Sequence, residues 1–74
     1  MDKKIALYNA LKLRHEAQMT EAYATLAVYF ETSVGIGEHP QIIDEMSKQL
    51  EKLANAEDCL ACLEKNFKSN VIGT

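Results

Sequence analysis

Two long stretches of this chain repeat side-chain character at alternating spacings of three and four. In the first, Ile5, Tyr8, Lys12, His15, Met19, Ala22, Leu26 and Tyr29 follow one another in this way, broadened by Tyr23 and Phe30. In the second, Ile43, Met46, Leu50, Leu53, Glu57, Leu60, Glu64 and Phe67 do the same, flanked by Ile42, Ala54, Ala56, Ala61 and Leu63. That spacing is the seam of a packed helix pair. Between the stretches lies Gly35-Ile36-Gly37-Glu38-His39-Pro40, which holds two of the three glycines and the only proline. Glycine admits the positive φ that a reversal needs, and proline suits the first position of a following helix. The pattern predicts an all-α, antiparallel two-helix hairpin that is coiled-coil-like and forms a single domain. Helix 1 is expected over residues 2–32, the turn over 33–39, helix 2 over 40–68 and a fraying tail over 69–74. Asp44 and Glu45 suit the positive end of the second helix dipole, and Lys65 and Lys68 its negative end.

With the turn centred near Ile36, the seams face each other in order. Tyr29 meets Ile43, Leu26 meets Met46, Ala22 meets Leu50 and Met19 meets Leu53. Further on, His15 meets Glu57, Lys12 meets Leu60, Tyr8 meets Glu64 and Ile5 meets Phe67. Large faces small at Ala22, and polar faces polar at His15–Glu57 and Tyr8–Glu64. A buried charge is tolerated when paired and hydrogen-bonded, so His15 and Glu57 are expected to form a structural polar pair that fixes register. A general acid–base couple would need a pocket and a third group.

Helix 1 carries a second row: Ala6, Ala10, Leu13, Ala17, Ala24 and Val28, nearly opposite the seam. Alanine is a good helix former and suits a solvated face, but Leu13 and Val28 favour a real contact there. This row is the expected site of self-association or partner docking. A chain of 74 residues folded as one hairpin buries little surface, which also argues for an oligomer or a larger partner.

The net charge is −3, from 8 basic and 11 acidic residues, which argues against direct contact with nucleic acid. No apolar run follows Met1-Asp2-Lys3-Lys4, and no stretch is long enough to span a membrane, so a cytoplasmic protein is expected. Its two cysteines, Cys59 and Cys62, are then reduced thiols. Their C-x-x-C spacing falls inside a predicted helix rather than at a helix N-terminus beside a strand, where a redox motif belongs. Zinc needs four ligands and this motif supplies two, so no metal and no cofactor are expected, although two copies could share a site. Gly35-Ile36-Gly37 lacks the third glycine, the preceding strand and the lysine of a phosphate loop. Gly35, Gly37, His39 and Pro40 are read as a structural corner.

The string Val34-Gly35-Ile36-Gly37-Glu38-His39-Pro40, followed by Leu53-Ala54-Asn55-Ala56-Glu57-Asp58 and a leucine-bearing helix end, resembles small helical-hairpin accessory proteins of T-even-like bacteriophages and cyanophages. These are encoded beside the UvsW helicase. The resemblance covers about half of the chain and implies a phage accessory factor that acts with recombination and repair machinery through the helicase, in the host cytoplasm. It carries no catalytic residues across. The expected function is therefore a non-enzymatic protein–protein interaction module, with a protein partner, a helicase for instance, or a homo-oligomer. The alternative is a counter-defence protein that binds a small ligand or nucleotide between protomers.

Overall fold

The computed structural model describes residues 2–31 and 41–73 and consists of two α-helices. Helix α1 runs Lys3–Glu31 and helix α2 runs Ile42–Ile72, packed along their length as a hairpin. No strand occurs among the described residues. Asp2 starts α1 as an N-cap: its Oδ1 accepts from the backbone N–H of Lys4 at 2.7 Å and of Ile5 at 3.4 Å, satisfying two donors that the first turn leaves open.

Helix α2 departs from expectation at its far end. It begins at Ile42, with Gln41 as its cap residue in a right-handed helical conformation and no side-chain cap bond. Asp44 and Glu45 occupy its first turn, as read from the sequence. Gly35, Gly37, His39 and Pro40, and with them the expected proline start, lie outside the described residues. At the other end the helix runs past residue 68, through the stretch expected to fray, to Ile72. Asparagine side chains bond back onto the preceding turn there: Asn66 Nδ2 donates to the Cys62 carbonyl at 2.9 Å, and Asn70 Nδ2 to the Asn66 carbonyl at 3.4 Å. Val71 and Ile72 are half-buried, which gives the last turn a reason to stay helical. Gly73 then ends the helix at φ +86°, its N–H donating to the Ser69 carbonyl at 3.1 Å. With this extension Lys65 and Lys68 sit inside the helix, and no basic residue occupies its last turn.

The seam of α1 is close to the predicted one. Tyr8, Ala22 and Leu26 are buried, and Ile5, His15, Met19 and Tyr29 are half-buried. Lys12 departs from it and is exposed. The seam of α2 is turned from the predicted one. Met46, Leu53 and Leu60 face inward as expected, but Ile42, Gln49, Ala56 and Leu63 replace Ile43, Leu50, Glu57 and Glu64 between them. The helix has two apolar rows that share Met46, Leu53 and Leu60 and differ by one position elsewhere. Facing the second row inward would bury two carboxylates, at Glu57 and Glu64. Facing the first buries one neutral amide, at Gln49. Carboxylates are far more expensive to desolvate, and that decides the rotation of the helix. The lengthwise alignment survives it: Lys52 forms an ion pair with Glu21, one position from the residue expected opposite Glu21, and Leu26 and Met46 border the same groove.

Candidate interaction surfaces

The turned helix separates the expected polar pair. His15 is half-buried and its Nδ1–H donates to Gln18 Oε1 at 3.0 Å, one turn on along the same helix. Its groove neighbours are Leu11, Asp58, Cys59, Cys62, Leu63 and Phe67. Glu57 is exposed and makes no ion pair among the described residues. Glu64 is exposed as well, so it does not reach buried Tyr8 in the seam. The reason is the same in both cases: a rotation that keeps carboxylates in water removes them from the facing helix.

Gln49 is the polar residue that took an inward position instead. Its Oε1 is buried with no hydrogen-bond partner. An acceptor left in this state loses its hydration without a replacement bond. Gln49→Leu is therefore expected to stabilise the fold, by on the order of 1–2 kcal/mol, read as a higher urea midpoint. An unchanged or lower midpoint would show that the amide is satisfied in solution. The sequence signal for this residue was present, since position 49 lies in the apolar row through Ile42, Ala56 and Leu63.

Two thiols, Cys59 half-buried and Cys62 exposed, are free. Among the described residues no three His, Cys, Asp or Glu side chains converge as metal ligands. No described helix is long and apolar enough to cross a membrane.

What the described surface offers is apolar. On the side of α1 turned away from the seam, Ala10, Leu13, Ala17, Ala24 and Val28 are exposed, with Leu13 at 64% and Val28 at 60%; Ala6, nearer the start, is half-buried. On one flank of the hairpin, Tyr23 and Phe30 from α1 stand beside Ile43 and Leu50 from α2, all largely exposed. On the other flank, near the chain ends, Leu7, Leu11 and Phe67 border a shallow groove with Leu63 and Val71. The polar half of that flank holds the Lys52–Glu21 pair and the Lys48–Glu45 pair, the latter at 3.4 Å and one turn apart. Exposed pairs of this kind contribute little to stability. No protein-family model, no curated protein and no solved structure matches this chain.

Proposed function

We propose that this chain is a non-enzymatic interaction module whose α1 docks on a protein partner through the outward row Ala10, Leu13, Ala17, Ala24 and Val28. One observation carries the reading. The row runs along most of α1, points away from α2, and leaves two large aliphatic side chains mostly in water. Small residues between them let another backbone approach closely, and helix-on-helix docking is built from such rows. The groove beside Phe30 also suits a protein better than a nucleotide: it is bordered by Leu26, Ile43, Met46, Ser47 and Leu50, with no cation to hold a phosphate.

The partner to try first is the recombination helicase implied by the resemblance of the turn string. Full-length protein carrying Ala17→Glu is the test. Ala17 is exposed, so the change leaves helix content intact while placing a charge in the middle of the row. Wild type is expected to retain the helicase on an affinity column and Ala17→Glu to lose it. Equal retention by both proteins overturns the row as the docking site.

A further inference from the structure

Tyr23 and Phe30 are one heptad apart on α1, and Ile43 and Leu50 are one heptad apart on α2. Each is more than half exposed, Phe30 most of all at 73%. Phe30, Ile43 and Leu50 border one open groove above Leu26 and Met46. Tyr23 borders the next groove along with Met19, Thr20, Leu53 and Glu57. Ala27, Ser47 and Ala54, also on this part of the flank, are small and uncharged.

The chain exposes 5811 Å². A compact monomer of its 8.3 kDa mass would expose about 4,600 Å². The excess, about 1,200 Å², exceeds the roughly 800 Å² that each partner contributes to a standard interface. Among the described residues only Tyr8, Ala22, Leu26 and Ala56 are buried, so one hairpin leaves much of its apolar surface uncovered.

We propose that a second copy of this chain covers the Tyr23, Phe30, Ile43 and Leu50 face, turn ends together, to form a four-helix bundle. The groove that Phe30, Ile43 and Leu50 border has no charged residue, so nothing in it selects an unrelated partner of opposite sign; Glu57 stands at the edge of the patch, on the Tyr23 groove. The patch is complementary to itself. A two-fold axis along the hairpin sets α1 of one copy against α2 of the other and preserves height along the bundle. The alignment that brings Leu26 to Met46 within the chain then brings Phe30 to Ile43 and Tyr23 to Leu50 between copies. At both contacts an aromatic row lies on an aliphatic row, and every neighbouring pair of helices is antiparallel. Packing turn end to open end would instead lay the apolar patch itself on Lys12, Glu16, Glu57 and Glu64 and desolvate their charges, whereas with turn ends together Glu16 comes to Glu57 only beyond the patch. This face is distinct from the outward row of α1, which the dimer leaves free for a partner.

Sedimentation equilibrium on the full chain tests the proposal. Wild type is expected at twice 8.3 kDa. Two double variants are then compared, one carrying Tyr23→Lys and Phe30→Lys, the other Ile43→Glu and Leu50→Glu. All four side chains are exposed, so helix content by circular dichroism is expected to hold; should either variant lose it, Phe30→Lys and Ile43→Glu alone make the same comparison. Each variant by itself is expected at the chain mass, and an equimolar mixture at twice that mass, because lysines on α1 then meet glutamates on α2 of the other copy. A wild type at the mass of one chain overturns the dimer. Variants that remain dimeric overturn the face, and a mixture that stays monomeric overturns the placing of α1 against α2. Ala17→Glu is expected to remain dimeric, which separates loss of this interface from loss of partner docking.

Discussion

Leu26→Ala is expected to lower the stability of the fold by about 2–5 kcal/mol. Leu26 is the largest aliphatic side chain among the buried residues, at 8% exposure, and sits where α1 meets α2 beside Met46. Truncation removes its transfer free energy and leaves a cavity. The open groove on its outer side lets neighbours relax inward, which places the result towards the low end of that range. Even there the loss matters. A chain of this length has a total stability of about 4–11 kcal/mol, and 2 kcal/mol lowers the melting temperature by about 8–16 °C. Thermal unfolding followed by circular dichroism reads the change directly. Leu13→Ala, at an exposed position on the same helix, provides the comparison and is expected to move the transition much less. Equal shifts for the two would mean that Leu26 is not part of a packed interior. Protein concentration is held constant across the series, since association shifts apparent stability by mass action.

The second large effect concerns the opposite error, too much volume. Ala22 has no exposed surface and Ala56 has 1%; they are the most fully buried residues of their helices. Small side chains there let the two backbones approach. Ala22→Leu adds three carbons that fit only if the helices separate, and overpacking of this kind costs about 1–3 kcal/mol. Helix propensity cannot account for such a loss, because leucine is nearly as good a helix former as alanine. Ala24→Leu, two residues away and exposed, makes the same chemical change with room to spare and is expected to leave the urea midpoint almost unmoved. If Ala22→Leu is equally harmless, the helices do not meet at that point.

The architecture and the seam of α1 were legible because one apolar row there stands clear of its alternatives. Tyr8, Ala22 and Leu26 belong to the row with the larger side chains, whereas the second row of that helix is mostly alanine. Helix α2 was harder to read. Ile42 stands beside Ile43, Gln49 beside Leu50, Ala56 beside Glu57 and Leu63 beside Glu64, so two rows compete. Counting apolar residues favours neither strongly. Desolvation does, because one row contains two carboxylates and the other a single amide. Pairing Glu57 with His15 made the costlier row look viable, and Gln49 was overlooked for the same reason. At the far end of α2 the tail expected to fray over 69–74 is helical to Ile72. The half-burial of Val71 and Ile72 and the left-handed cap at Gly73 sustain that last turn. The outward row of α1 was visible as a periodicity, whereas the Tyr23, Phe30, Ile43 and Leu50 face emerged only once the rotation of α2 was known.

The molecule measures 52 × 20 × 15 Å, a rod more than twice as long as it is wide. A rod drags on solvent more than a sphere of equal mass, so a single chain migrates through a gel-filtration column as a larger globular protein would. Two such rods joined side by side gain width and little length, and the pair is rounder than either alone. Doubling the mass therefore moves the elution volume by less than globular standards suggest. Tumbling about the long axis slows more than tumbling end over end, which makes the anisotropy of rotational diffusion, measured by nitrogen-15 relaxation, a sensitive signature of pairing.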